Sequence, residues 1–156
     1  MSTHETISQL MTEVGPPADL LVVDEYAEEG LWHIAVDDRT EIIAEIDEDR
    51  GVLVLSASAE RALMEERGAV YELALRYNHA WRASGGVRFS LDGEEGALWL
   101  TLELALAPLT SRRLAEEITA FVKKLMAWRQ VVETFTLEAN LHESLGFLSM
   151  PGFIRS

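Results

Sequence analysis

Residues 87–106 read VRFSLDGEEGALWLTLELAL and form the most informative stretch of the chain. Val87, Phe89 and Leu91 alternate with polar residues before an acidic, glycine-containing segment, Asp92 to Gly96. After that segment, leucine stands at every second position, at Leu98, Leu100, Leu102, Leu104 and Leu106. A period of two is typical of strands that bury one face, and a short polar segment between two such runs is typical of a hairpin. The stretch therefore predicts a β-hairpin.

A predicted helix flanks this hairpin on each side. Before it, from Ser58 to Arg82, apolar residues follow one helical stripe and Gly85 and Gly86 then stop the helix. After it, Pro108 ends the second strand and Thr110 or Ser111 caps a long amphipathic helix. The apolar stripes consist of Leu63, Val70, Ala74, Tyr77 and Trp81 in the first helix, and of Leu114, Ile118, Phe121, Val122, Leu125, Trp128 and Val132 in the second.

The first half of the chain predicts a short helix followed by a meander. Ser2 or Thr3 caps the helix, Glu5 completes a capping box, and Gly15 with two prolines ends it. Alternating or continuous apolar runs then predict strands at 20–26, 31–36, 42–46 and 52–55. The whole order is α-β-β-β-(β)-α-β-β-α, an α+β fold with an antiparallel sheet. We expect one domain over 1–134 and a tail, 135–156, that is partly helical or irregular.

Composition limits the compartment and the partners. The chain has 156 residues and a net charge of −14, from 27 acidic and 13 basic residues, so binding to a nucleic-acid backbone is not expected. It has no cysteine, which suits a reducing cytoplasm. Neither a basic, apolar leader nor a membrane-length apolar stretch is present. We expect a cytoplasmic protein without a membrane partner, although acidity can also serve solubility alone.

Residue patterns that mark a reaction centre are missing from the sequence. The four histidines lie in different segments, and no phosphate-binding loop, dinucleotide-binding loop or nucleophile elbow is present. The acidic run Asp47, Glu48 and Asp49 before Gly51 lacks the alternating ligands of a calcium loop. We therefore expect no catalytic residue, no metal and no cofactor, and the sequence favours a binding protein over an enzyme.

Three segments resemble the Tir-chaperone (CesT-like) family of class I type III secretion chaperones. They are LALRYNHAWR at 73–82, GGVRFSLD at 85–92 and GALWL at 96–100, which are similar to that family's asparagine-containing helix and the hairpin after it. The segment from Leu109 to Trp128 is similar to its last helix. A YbjN-like regulatory or structural module, with a similar order of elements and no secretion client, is the alternative.

The resemblance implies a homodimer that holds the N-terminal segment of a secreted effector extended until export, without ATP. Such binding uses apolar patches and strand addition to a sheet edge. Carried onto this chain, it places client binding at Ile7, Leu10, Met11, Val14, Trp32, Ile34, Val36 and Ile43. It places the dimer interface at Tyr77, Trp81, Val87 and Phe89. For each residue taken alone, burial in the core is the competing interpretation.

Overall fold

The structure is a computed structural model that describes residues 1–15, 18, 20, 22–60, 67–94 and 96–148, with the backbone alone for 136–148. Leu63, the two prolines after the first helix and the end of the predicted tail, 149–156, lie outside the described residues. Within the described part, no helix is long and apolar enough to cross a membrane.

The described residues form three α-helices and six strands, in the predicted order. The helices are α1 (Thr3–Val14), α2 (Arg67–His79) and α3 (Ser111–Leu148). The strands are β1 (Val22–Tyr26), β2 (Leu31–Asp37), β3 (Thr40–Asp47), β4 (Val52–Ser58), β5 (Arg88–Asp92) and β6 (Ala97–Ala105). The α+β prediction is confirmed, and the meander before α2 has four strands.

Side-chain caps fix where two of the helices begin. At α1, the Ser2 hydroxyl accepts from the Glu5 backbone N–H at 3.2 Å, and the Glu5 carboxylate accepts from the Ser2 backbone N–H at 2.7 Å. At α3, the Thr110 hydroxyl accepts from the Arg113 backbone N–H at 3.2 Å. Each bond satisfies a backbone donor of the first helical turn. Of the predicted alternatives, Ser2 and Thr110 are therefore the caps.

The six strands form one sheet in the order β1-β2-β3-β4-β6-β5, with every neighbouring pair antiparallel. The chain leaves β4 through α2 and returns as the hairpin β5-β6, whose second strand pairs with β4. Rows of paired residues cross the sheet, and partners in a row share a face. One row consists of Trp32, Ala44, Leu55 and Leu102, all of them buried.

All three helices pack on that face. Ile7, Met11 and Val14 of α1 join the strand side chains in one core, together with the α3 stripe that runs from Leu114 to Val132. Residues of the other face, such as Ile43 and Val54, are only half-buried because none of the helices α1, α2 and α3 covers them. The molecule thus has two layers, and one face of the sheet is open.

The second helix ends earlier than predicted, and the third continues into the tail that was predicted to be partly helical. The second helix ends at His79, and Trp81 lies in the turn that follows it, where Ser84 bonds the carbonyls of Trp81 and Val87. The third helix continues through residue 134 to Leu148, so its backbone passes the predicted boundary between domain and tail. A capped amphipathic helix without internal proline has no local reason to stop there.

Candidate functional site

A groove with both polar and apolar lining lies between α1 and β1. Its volume is about 430 Å³, and it is lined by Ser8, Met11, Thr12, Gly15, Leu20, Val22, Val23, Glu25 and Trp32. It forms because a short amphipathic helix lies beside the first strand, and the segment joining them includes Leu20, which is half-buried. An open groove with an apolar floor can take side chains from an added polypeptide.

Polar contacts hold α1 to β1 at this groove. The Ser8 hydroxyl donates to the Glu25 carboxylate at 2.7 Å, and the His4 ring nitrogen lies 3.3 Å from the other Glu25 oxygen. The His4 ring also stacks on Trp32, with 5.2 Å between ring centroids. Contacts between partly exposed groups contribute little stability. The apolar residues of α1 therefore provide most of its attachment to the sheet.

The groove opens beside a sheet edge. β1 is the terminal strand, so one side of its backbone faces away from β2. Val22, which lines the groove, and Tyr26, which contacts His33 on the open face, are each 47% exposed. An exposed edge strand offers backbone donors and acceptors to an extended segment, and neighbouring apolar side chains add contact area. Groove and edge together form a surface, here called the α1/β1 surface, that suits a peptide in extended form.

The eight residues predicted to bind a client do not all reach this surface. Ile7, Met11, Val14, Trp32 and Ile34 are at most 2% exposed and belong to the core beneath it. Leu10 and Val36 are half-buried against that core. Met11 and Trp32 still line the groove, at its floor. The sequence predicted the helices and the alternation of Trp32 and Ile34, but it did not show which strand face the helices cover.

Ile43 lies on the opposite face of the sheet from Trp32 and Ile34. It pairs with His33 and Ser56, whereas Trp32 pairs with Ala44. Since successive strand residues point to opposite faces, Ile43 cannot share a surface with the other predicted residues. Its open-face neighbours include His33, which is hydrogen-bonded to Glu41 and in contact with the Tyr26 ring. The eight residues therefore do not make one continuous patch.

A second apolar surface lies on α2 and β5. Leu75 is 67% exposed and Leu91 is 50% exposed, and both line a cavity of about 350 Å³ between the helix and the strand. Leu73 and Trp81 are also exposed. We call these four residues the α2/β5 surface. Leu75 and Leu91, which border the same cavity, mark a surface that another chain can cover.

Of the residues predicted for dimer contact, only Trp81 is exposed. Val87 is buried, and Tyr77 and Phe89 form a ring cluster with Trp128 of α3, with centroids 4.3 to 5.4 Å apart. Burial in this cluster raises the pKa of the Tyr77 phenol. The structure places Leu73, Leu75 and Leu91 at the surface, and the sequence did not single them out. The sequence offered one indication of their exposure. Leu73 and Leu75 lie outside the apolar stripe of Val70 and Ala74, so packing of the core does not require leucine at these two positions.

The sequence matches the model of the Tir chaperone protein (CesT) family over residues 22–129. The chain belongs to this family. The match begins at β1 and ends in α3, so it includes both the sheet edge and the α2/β5 surface, while α1 lies before it. The protein is thus a member of a family of chaperones, as the resemblance of its second helix and hairpin indicated. No curated protein shows a significant sequence match.

Solved structures share the fold. The structure of the ExsC–ExsE complex matches with a TM-score of 0.69 and 18% identity, over 85% of this chain and 97% of the other. The HopA1–SchA chaperone–effector complex matches with a TM-score of 0.65 and 15% identity, over 81% and 95%. The Yersinia pestis type III secretion chaperone SycH, in complex with a fragment of YscM2, gives 0.60 and 24%, over 78% and 98%.

A structure of YbjN from E. coli also matches, with a TM-score of 0.51 and 19% identity, over 89% of this chain and 92% of the other. This similarity concerns the fold, and it is weaker than that to the three complexes. Membership of the Tir chaperone protein (CesT) family favours the secretion chaperone over the YbjN-like alternative.

In the part of the chain that the structure describes, the acidic residues and histidines do not form a metal site. Among the described residues, no group of three or more potential ligands is close enough to hold an ion. The pKa shifts of two carboxyl groups have structural causes. The hydrogen bond from the Arg39 backbone N–H lowers the pKa of Asp37, and the hydrogen bond from the Arg50 guanidinium lowers the pKa of Glu103. What the described geometry supports is binding of a polypeptide through apolar contact and backbone pairing.

Proposed function

We propose that the protein is a type III secretion chaperone that binds the N-terminal segment of a secreted effector and keeps it extended for export. The observation that carries this proposal is the α1/β1 surface, a groove with Met11 and Trp32 at its floor beside an exposed sheet edge, in a member of a chaperone family. The structures of similar fold include a chaperone–effector complex and a type III secretion chaperone with a bound fragment, which supports the same function here.

Pairing with β1 would hold the client backbone, and the groove would take its side chains. A segment that adds to β1 points successive side chains to opposite faces, so every second one can face the groove. Apolar residues at alternate positions therefore fit best. Asp24 and Glu25 of β1, with Glu28 and Glu29 just after it, favour basic residues between them, as does the net charge of −14.

The client would bind without ATP and without a chemical step. Burial of apolar surface and formation of strand hydrogen bonds supply the free energy, and ordering of the client opposes it. The protein is therefore proposed to act as a cytoplasmic binding protein and not as an enzyme. Release would follow when a competing process takes the client segment.

We also propose that two copies associate through the α2/β5 surface. Leu75, which is 67% exposed, and Leu91, which is 50% exposed, border one cavity. Together they would form the apolar centre of the interface. Trp81 stacks with the Arg82 guanidinium at 5.1 Å and adds an aromatic residue of the kind that interfaces favour. This surface lies on the opposite end of the sheet from β1, so a dimer would leave both client sites accessible.

The test identifies a client and then measures binding of its isolated segment. The tagged protein is used to capture proteins from its native cytosol, and a synthetic peptide with the first residues of a captured candidate is titrated by calorimetry in nucleotide-free buffer. We expect saturable binding that Val22→Asp weakens at least tenfold, because a charge then stands at the groove mouth. Leu75→Asp, on the other surface, is the control and should bind normally. Binding that needs ATP, or a folded domain of the client, would contradict the proposal.

A further inference from the structure

The sheet has two edges, and strand addition could in principle occur at either. β1 forms one edge and β5 the other, and each strand has five residues. An edge strand accepts another strand wherever its outward N–H and C=O groups are unpaired. A chaperone that binds its client at β1 therefore has to prevent strand addition at the β5 edge.

A side chain of α2 occupies the β5 edge. The Asn78 side-chain N–H donates to the Phe89 carbonyl at 3.1 Å, and the Phe89 backbone N–H donates to the Asn78 side-chain oxygen at 2.7 Å. The carboxamide thus presents one donor and one acceptor in the way that a residue of a neighbouring strand would. Both bonds are partly buried, which limits their exchange with water.

The position of Asn78 leaves little of this edge for pairing. Within an antiparallel pair, residues alternately direct both backbone groups to the partner strand or away from it. Phe89 lies opposite Leu100 of β6 but gives both groups to Asn78, so it belongs to the outward-directed set. In Arg88–Asp92 the other outward-directed position is Leu91. One remaining position cannot anchor an added strand.

The helix that carries Asn78 is fixed at a second point. The Tyr71 hydroxyl donates to the Gly96 carbonyl at 2.7 Å, at the turn of the β5-β6 hairpin. Tyr71 and Asn78 thus attach α2 near both ends of β5. Between them, Val70 and Ala74 are buried in the core. Asn78 is therefore held in place by the packing of its own helix.

We propose that Asn78 closes the β5 edge, so that a client strand can add to this sheet only at β1. Closure of β5 follows from the described contacts, whereas the identity of the added strand rests on the proposed function. Asn78 is a positioning residue in this role, since the client does not touch it. The surface that remains at this end, Leu73, Leu75, Trp81 and Leu91, then serves side-chain contact and not strand pairing.

The first test uses the protein alone and the variant Asn78→Ala. We expect the Phe89 amide to exchange with solvent about tenfold faster or more, because it loses its acceptor. Sedimentation velocity should also reveal new species above the wild-type mass, increasing with concentration, as open β5 edges pair. Val132→Ala, which removes buried side-chain volume from α3, is the matched control and should lower stability without new species.

Two results would overturn the proposal: a folded Asn78→Ala protein that keeps the wild-type mass at every concentration, or an unchanged Phe89 exchange rate. If Asn78→Ala fails to fold, Asn78→Asp replaces it. That carboxylate still accepts from the Phe89 N–H but cannot donate to its carbonyl, so Phe89 should stay protected while self-association rises above wild type. Unchanged association of a folded Asn78→Asp protein would equally overturn the proposal.

The second test follows amide exchange while the client peptide is added to the wild-type protein. We expect new protection in 22–26 and none in 88–92. Protection in 88–92 would show that β5 accepts a strand and would overturn the closure. If no peptide binds at all, the proposed function fails, while the mass and exchange results for Asn78→Ala still decide whether Asn78 closes the β5 edge.

Discussion

Arg129 is a polar side chain that joins α3 to the sheet. Its guanidinium donates to the Ser58 carbonyl at 3.1 and 3.3 Å and to the Thr40 hydroxyl at 2.7 Å. Thr40 is 2% exposed, so water cannot replace the guanidinium there. A polar group left unpaired in the interior costs more than an ordinary hydrogen bond contributes. Arg129 thus connects the ends of β3 and β4 to the middle of the long helix.

We predict that Arg129→Met lowers the free energy of unfolding by about 3 kcal/mol, because the acceptors at Ser58 and Thr40 lose their donor. Urea denaturation measures the loss. Arg112→Met on the same helix is the control, since that side chain is 89% exposed in an ion pair with Glu116, and its effect should stay within about 0.5 kcal/mol. Equal effects of the two substitutions would contradict the structural role of Arg129.

The pH dependence of stability should include a contribution from the ion pair of Arg50 and Glu103. Two hydrogen bonds of 2.7 and 2.8 Å join them, and they lower the pKa of the Glu103 carboxyl. A carboxyl whose pKa is lower in the folded protein adds stability above its unfolded pKa, and this contribution is lost as pH falls through the folded pKa. We predict that Glu103→Gln removes this contribution, so the variant loses less stability than wild type on acidification.

Thermal unfolding from neutral pH to about pH 3 measures this difference, which should be small because both side chains are largely exposed. Arg50→Gln should flatten the profile in the same way, since it removes the other partner. Parallel profiles for wild type and Glu103→Gln would show that the pair adds no pH-dependent stability.

The α2 helix has two apolar sides with different partners. Val70 and Ala74 face the core, while Leu75 faces away from it at 67% exposure. Helix propensity alone does not distinguish them, because leucine favours a helix on either side. The outward leucine instead suits contact with a second chain, as does Leu91 on the neighbouring strand.

We predict that wild-type protein has twice the chain mass and that Leu75→Asp has the mass of one chain, because an aspartate would be buried without a partner in the interface. Light scattering at tens of micromolar measures both. The fold should survive, since the site is exposed in a single chain and such substitutions cost about 0.5 kcal/mol. Val22→Asp on β1 is the matched control and should stay dimeric. A wild-type protein with the mass of one chain would refute the dimer.

In the whole molecule, the surfaces proposed for client binding and for dimer contact lie at opposite ends of one sheet. The α1/β1 surface includes the β1 edge, and the α2/β5 surface includes the β5 strand, with four strands between them. The core that joins them contains Trp32, Ile34 and Phe121, each at most 1% exposed. Changes at one end should therefore affect the other only if they unfold the core.

We predict a clearly negative heat capacity change when the client segment binds, because a disordered peptide buries apolar side chains in the groove. Calorimetry over a range of temperatures measures it. Val22→Asp should reduce affinity and leave folding intact, whereas Ile34→Asp should unfold the protein, since Ile34 is fully buried. A folded Ile34→Asp protein that has lost only its client would show that Ile34 belongs to the client site after all.

Local patterns were sufficient to predict the elements and their order. The alternation around Phe89 and Leu100 predicted the hairpin, the serine and glutamate spacing predicted the cap of α1, and one apolar stripe predicted α3. These signals depend on neighbours within a few residues, so they can be read without a structure. The family resemblance was carried by the same segments, and the match over 22–129 confirmed it.

Exposure was decided by tertiary packing. Trp32 and Leu75 are both large and apolar in the sequence, yet one is buried under α1 and the other is exposed, because burial depends on which elements cover a face. Likewise, the sequence shows Asn78 only as a polar residue in a helix. Its role becomes visible in the structure, where the turn after Trp81 places β5 beside it. The groove, the sheet edge and the proposed interface each depend on elements that are distant in sequence. A local sequence pattern does not show which of these elements pack against each other.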